Sequence, residues 1–235
     1  VRGVELFAGA GGMALGLSLA GFQHQALVEL DTDACATLLE NQSRSVAGMK
    51  EWPIYPCDVR EFRFDGIPEN IELLAAGVPC QPFSIGGKHR GHRDKRNLFP
   101  ETVSAIRKLK PKAFLIENVR GLARSSFAEY FSYIQLMLTY PELARRANED
   151  WADHRARLER YHTRGKHFGL FYRVVPRVLN AADFGVPQKR LRVFIVGFRC
   201  DIGKRWSFPK PTHSFDSLIY SQHVTGEYWE RHAVP

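Results

Sequence analysis

A doubly wound α/β sheet is the fold this sequence predicts, on three observations. Short apolar runs rich in Val, Ile, Leu and Phe recur along the chain. Helical patterns separate them, as parallel β-α-β units require. A glycine-rich stretch, Phe7-Ala8-Gly9-Ala10-Gly11-Gly12, stands where the first run gives way to the first helix, the kind of junction at which such sheets bind ligands.

Seven runs qualify as strands of a mostly parallel sheet: 4–7, 25–30, 54–57, 71–76, 113–117, 170–179 and 192–198. Residues 12–20 read as the first helix, closed by Gly21, and Asp31 stands as N-cap for a helix over 32–40. A third helix covers 98–109. The rhythm changes over 124–166, where Phe127, Phe131, Ile134 and Leu138 follow helical spacing and Pro141 can begin a second, charge-rich helix. This segment is predicted to be a helical insertion, a solvated hairpin packed on the sheet.

Composition narrows the classes. With 235 residues, 44% hydrophobic and 25% charged, the chain can bury the core of one domain, which excludes a disordered polypeptide. No apolar run approaches the roughly 20 residues that cross a bilayer, so no membrane partner is expected. The start, Val1-Arg2-Gly3, has neither an initiator Met nor a leader and reads as a processed or cut end, with the cytoplasm as the expected compartment. Cys35, Cys57, Cys80 and Cys200 form no CxxC pair, and His89 and His92 lie between glycines without further ligands, so neither disulfides nor a metal are expected. The net charge is +8. Segments 86–96 (Lys88, Arg90, Arg93, Lys95, Arg96, Asp94) and 186–206 (Lys189, Arg190, Arg192, Arg199, Lys204, Arg205, Asp201) hold eleven bases against two acids, a balance of +9 that leaves the remainder at −1. Two segments therefore suit phosphate-bearing partners.

Four motifs carry chemistry. Glycines at 9, 11 and 12 let a ligand approach the backbone, and the following helix N-terminus offers unpaired N–H groups; Glu29, at the end of the next strand, can hold ribose hydroxyls. Gly9-x-Gly11-x-x-Ala14 fits a nicotinamide dinucleotide as well as S-adenosylmethionine, and a plain tight turn is the bland alternative. Gly77-Val78-Pro79-Cys80-Gln81-Pro82-Phe83-Ser84 places a thiol between prolines at the carboxyl end of a strand, close in sequence to the bases from Lys88 onward that favour a thiolate. In Phe114-Leu115-Ile116-Glu117-Asn118-Val119 an apolar strand runs into a carboxylate, which makes Glu117 a candidate acid. Alternation on an extended chain sends Gln188, Arg190 and Arg192 to one face, suited to anions and base edges, whereas solvated charge is the plainer reading.

The set resembles the C5-cytosine DNA methyltransferase family, most of all bacterial modification enzymes. Residues 7–12 are similar to its cofactor motif, Pro79-Cys80-Gln81 to its nucleophile motif, Glu117-Asn118-Val119 to its acid motif and Gln188-Lys189-Arg190-Leu191-Arg192 to its base-reading motif, all in order. Asp58-Val59 and Asp94-Lys95-Arg96-Asn97-Leu98-Phe99 also resemble family positions, so the likeness runs from residue 4 to about 212. It implies a Rossmann-like S-adenosylmethionine-dependent fold over 1–212, with 213–235 leading toward a target-recognition region.

The resemblance also implies a mechanism. C5 of cytosine is a poor nucleophile, so the Cys80 thiolate adds to C6 of a base flipped out of double-stranded DNA, Glu117 protonates or hydrogen-bonds N3, and C5 attacks the methyl group of S-adenosylmethionine, leaving S-adenosylhomocysteine. A base then removes the C5 proton and Cys80 leaves. Arg192 is implied at the cytosine O2, with Arg190 its companion for phosphate or thiolate. For the cofactor, Phe7, Gly9, Gly11 and Gly12 take the methionine end, Glu29 the ribose, and Asp58 with Val59 the adenine; Leu30 stands where many relatives carry an aromatic ring, and Pro79 and Leu98 complete the set. Gln81, Ser84, Lys88, Arg90, Arg96 and Gln188 are implied at the DNA.

Relatives of this kind continue past the arginine-rich motif into a variable recognition region, which 213–235 does not contain. Two readings follow: an excised or truncated catalytic core, or a subunit completed by a second polypeptide. A transfer RNA methyltransferase of the same fold and an NAD oxidoreductase are the rivals, the latter leaving Cys80, Glu117 and 188–192 without a role.

Overall fold

The computed structural model describes residues 1–79, 97–203 and 205–233. Seven strands form one sheet: β1 (Arg2–Leu6), β2 (Gln23–Glu29), β3 (Ile54–Pro56), β4 (Leu73–Gly77), β5 (Ala113–Val119), β6 (Tyr172–Asn180) and β7 (Leu191–Arg199), in the order β3-β2-β1-β4-β5-β7-β6. Strands β1 to β5 are mutually parallel, and β7 enters antiparallel between β5 and β6. The doubly wound, mostly parallel sheet read from the sequence is thus present. Pro176 lies in β6, an edge strand, where a missing N–H leaves no neighbour unpaired.

The described residues form seven α-helices: α1 (Gly12–Leu19), α2 (Thr32–Ser43), α3 (Phe99–Leu109), α4 (Ala128–Thr139), α5 (Trp151–Thr163), α6 (Phe215–Tyr220) and α7 (Glu227–Arg231). Asp31 caps α2 as expected, its Oδ1 accepting from Asp33 N at 3.1 Å and Ala34 N at 2.9 Å. Side-chain alternation sorts the helices. Val4, Leu6, Leu74, Ala76, Phe114 and Ile116 pack in one core with α3 and α4, while Leu27, Leu73 and Ala75 point to the other face, against α1 and α2.

Pro141 does not begin a helix. It directly follows the C-cap of α4, where a proline cannot continue the turn, and α5 starts only at Trp151, because Asp150 accepts from Asp153 N at 2.8 Å and supplies the cap. Nor is α4 a solvated helix: Tyr130, Tyr133, Ile134, Met137 and Leu138 are buried in the main core. The solvated member of the pair is α5, which buries only His154 and Leu158.

Candidate functional site

Strand order reverses between β1 and β4, so the turns leaving these two strands flank a crevice at the carboxyl edge of the sheet. On one side the chain leaves β1 through Phe7 (φ 57°) and Gly9 (φ 55°) and enters α1 over Gly11 (φ 86°). At Gly11 a Cβ would lie 2.7 Å from Leu38 Cδ2 and 3.1 Å from the Trp52 ring, so α2 requires glycine there. Gly9 and Gly12, by contrast, face open space within 4 Å of a built Cβ. The N-terminus of α1 has no side-chain cap and no acid in its first turn, which leaves its positive end for a bound anion. On the other side, a Cβ at Gly77 would meet Phe7 O at 3.0 Å, so the two turns approach closely.

Glu29 ties this loop to β2. Its Oε2 accepts from Gly9 N at 2.7 Å and its Oε1 from Leu30 N and Asp31 N at 2.8 Å each, so the carboxylate is fixed while lone pairs remain for hydroxyl donors. Leu30 beside it is 61% exposed, an apolar side chain presented at the rim. Past the end of β3, Asp58 accepts from Arg60 Nε at 2.9 and 3.0 Å and pairs with its second guanidinium nitrogen. That pairing holds the Asp58 carboxyl below the usual carboxylate range. Val59 is buried. Arg60 was not singled out by the sequence reading, and its spacing from Asp58 is the only signal that could have found it.

Strands β4 and β5 place the second half. Gly77 is in register with Glu117, so the turn toward Pro79 leaves the sheet beside that carboxylate. Asn118 is 1% exposed; its Nδ2 donates to Val78 O at 3.1 Å and its Oδ1 accepts from Val119 N at 2.9 Å. This clamp fixes the chain two residues before Cys80. Burial alternates along β5, putting Asn118 on the face of Phe114 and Ile116 and Glu117 on the other.

Arg192 reaches Glu117 from β7: Nε to Oε1 is 2.8 Å, with both side chains about a quarter exposed at 26% and 27%. Arg192 opposes Val119 in the ladder, so this is a diagonal pair on one face. Arg190 is exposed, its N–H donating to Asn180 Oδ1 at 3.1 Å. Gln188 departs from the expected alternation. Its N–H bonds to Val186 O at 2.7 Å in a bend, and β7 begins only at Leu191, because the turn after Gly185 consumes these residues. Pro79 and Leu98 are half-buried at the two ends of the described chain here. Cys80, Gln81, Ser84, Lys88, Arg90 and Arg96 lie outside the described residues.

One buried acid escaped the sequence reading altogether. Glu5, in the central strand β1, is 0% exposed and neither carboxyl oxygen has a full hydrogen bond. Burial pushes its pKa up to about 8, and the nearby Ala14 backbone amide of α1 opposes this only in part. His24, buried under the same helix, bonds through Nε2 to Ala14 O at 2.9 Å and Ser18 Oγ at 3.0 Å, and burial lowers its pKa.

Among the described residues no three His, Cys, Asp or Glu side chains gather to hold a metal, and no helix is long and apolar enough to cross a membrane. Comparison with known proteins bears on the same chain. The family model for C-5 cytosine-specific DNA methylases matches residues 1–139 and 152–232. Type II methyltransferase M.NgoMIV of Neisseria gonorrhoeae is 37% identical over 208 residues, 88% of this chain and 55% of that protein. Type II methyltransferase M.AquIA of Picosynechococcus sp. is 36% identical over 218 residues, 89% of this chain and 76% of that protein. Among solved structures, DNMT2 of Spodoptera frugiperda, crystallised as a mutant, gives a TM-score of 0.55 at 20% identity, over 90% of this chain and 53% of that one. The S. pombe Dnmt2 methyltransferase gives 0.51 at 18% identity, over 95% and 56%. This chain spans about half the length of the first two curated relatives it matches, 55% and 47%.

Proposed function

Because the chain belongs to the C-5 cytosine-specific DNA methylase family, we propose that it is the catalytic core of a DNA (cytosine-5-)-methyltransferase of a bacterial restriction-modification system, acting on double-stranded DNA in the cytoplasm. The observation that carries this reading is the Glu117–Arg192 pair at the mouth of the β4 turn, 2.8 Å apart and one strand from the glycine loop. A protonated carboxyl and a guanidinium side by side can both donate, which matches the adjacent N3 and O2 acceptors of a cytosine edge.

S-adenosylmethionine fits the other half of the crevice: open space over Gly9 and Gly12, an uncapped α1 N-terminus for its carboxylate, Glu29 for the ribose, and Leu30, Asp58 and Val59 around the adenine. Pro79 and Leu98 close the set at the rim, and the bound group supplies an electrophilic methyl on sulfur. Cys80, two residues after the Val78 carbonyl that Asn118 holds, adds as thiolate to C6 of the flipped base; Glu117, in its protonated form, delivers a proton to N3, so negative charge does not build on the ring. Arg192 holds O2 and Arg190 adds positive charge nearby. After methylation a base takes the C5 proton, the C5–C6 double bond re-forms and Cys80 leaves as thiolate. Gln81, Ser84, Lys88, Arg90, Arg96 and Gln188 are assigned to the DNA. Residues 1–212 form the catalytic unit, including the 124–166 segment, and 213–235 lead toward target recognition.

The fractional span of the relatives supports a second reading, in which this chain binds cofactor but needs a further polypeptide for activity. One experiment separates the two. Incubation with S-adenosylmethionine and DNA containing 5-fluorocytosine traps a covalent complex if the chain is active alone, because the C5 fluorine cannot leave as a proton does. Trapping by wild type and none by Cys80→Ser is the expected result. Adduct formation by Cys80→Ser would overturn the nucleophile, and cofactor binding without trapping moves the assignment to the second reading.

A further inference from the structure

A cavity of about 350 Å³ opens between α3, α4 and the start of α5, on the sheet face opposite α1 and α2. It sits at the small end of the roughly 300–1,000 Å³ range of small-molecule sites. Its wall is aromatic: the Tyr130, Tyr133 and Trp151 rings lie 5.8 to 5.9 Å apart, centroid to centroid, with Met137 beside them. Arg107 and Arg145 line it as well. Neither guanidinium has a carboxylate partner among the described residues; Arg107 donates only to Pro141 O and Ser104 Oγ. Of the three acids in the same stretch, Glu149 is held by Arg157 at 2.7 and 2.8 Å, Asp150 caps α5 and Glu142 accepts from Leu170 N at 2.9 Å, and none of them lines the cavity. The rim is therefore cationic and the interior flat and apolar.

Most of the cavity wall lies in residues that the family match covers. Arg145 and Trp151 belong to 140–151, the internal stretch that the family match passes over. A relay holds that stretch in place: His154 Nε2–H donates to Leu143 O at 2.7 Å, and since a carbonyl only accepts, Nδ1 is the acceptor for the Tyr133 hydroxyl at 2.8 Å. Burial lowers the His154 pKa, which favours the neutral ring and with it this donor order. The site is thus preformed.

We propose that this cavity binds a heteroaromatic ring carrying an anionic group, of the size of a nucleoside monophosphate, with the ring against Trp151, Tyr130 and Tyr133 and the anion on Arg107 and Arg145. Stacking surfaces take any flat ring, and two guanidinium forks select phosphate or carboxylate. The site lies apart from the glycine crevice and does not depend on methyl transfer.

The test titrates the chain with AMP, GMP and CMP by calorimetry and tryptophan fluorescence, in saturating S-adenosylhomocysteine to fill the glycine crevice. Saturable one-to-one binding is expected, weakened about tenfold or more in Arg145→Glu. Arg145 is exposed, so that variant keeps its fold, and a melting curve checks it. Trp151→Phe keeps a ring and should abolish the fluorescence change. Binding of a short single-stranded oligonucleotide but no monophosphate, lost in the same variants, assigns the same chemistry to a nucleic-acid strand. Absence of saturation with either ligand, or binding unchanged in both variants, overturns the proposal.

Discussion

Replacing Glu5 by glutamine isolates the cost of an ionisable group in the middle of the sheet. The carboxyl is 0% exposed and its pKa is pushed from 4.5 in the unfolded chain up to about 8. Below pH 4.5 both states are protonated and the side chain costs nothing through ionisation. Between 4.5 and 8 the unfolded chain releases the proton while the folded one keeps it, so stability falls with pH by about 1.4 kcal/mol per unit. From pH 5 to pH 8 that amounts to roughly 4 kcal/mol, against a total of about 5–15 kcal/mol for a domain. In melting temperature it is roughly 8–16 °C for a chain of this size. His24 and His154 titrate in the opposite sense, their lowered pKa values making stability rise with pH up to about 6.5, and both are present in wild type and variant. The difference between the two proteins therefore reports Glu5 alone. Urea unfolding of wild type and Glu5→Gln across this range should show the variant gaining steadily on wild type as pH rises. Parallel stability curves would refute the reasoning and mean that Glu5 finds a partner or water.

Two further substitutions have outcomes set by geometry. At Gly197 an added Cβ would lie 2.1 Å from Cζ of the fully buried Phe114, so Gly197→Ala should cost about 3 kcal/mol and lower Tm by roughly 6–12 °C, with Phe114→Leu restoring part of it; an unchanged Tm would show that the ring has room to move. Leu30→Trp puts an indole on a position that is 61% exposed at the rim beside Glu29, and should tighten S-adenosylhomocysteine about fivefold, or about 1 kcal/mol, by calorimetry; equal or weaker binding would place the adenine elsewhere.

How much was legible follows from how local each feature is. The β1 turn was readable because glycines at 9, 11 and 12 and the acid at 29 act through backbone within one β-α-β unit. The Asp31 cap was readable for the same reason. The 124–166 segment was half readable: helical spacing marked α4, but whether that apolar stripe met solvent or core depended on which strands lay beneath it. Pro141 misled because proline permits a helix start and a helix end alike, and only the Asp150 cap decided between them.

The sequence by itself determined the seven strands, helices α1 to α4 and the glycine turn that leaves β1. Periodicity and turn chemistry act over a few residues, and those residues carry them. What only the tertiary structure decided is who meets whom across the sheet. Glu117 and Arg192 pair because β7 enters antiparallel beside β5, and Asn118 reaches Val78 because β4 lies on the other side. Glu5 is buried because α1 closes over it, and the aromatic cavity exists because 140–151 folds back between α4 and α5. Strand order is a property of the whole core, set by which apolar faces can be covered together, and no local stretch of chain contains it.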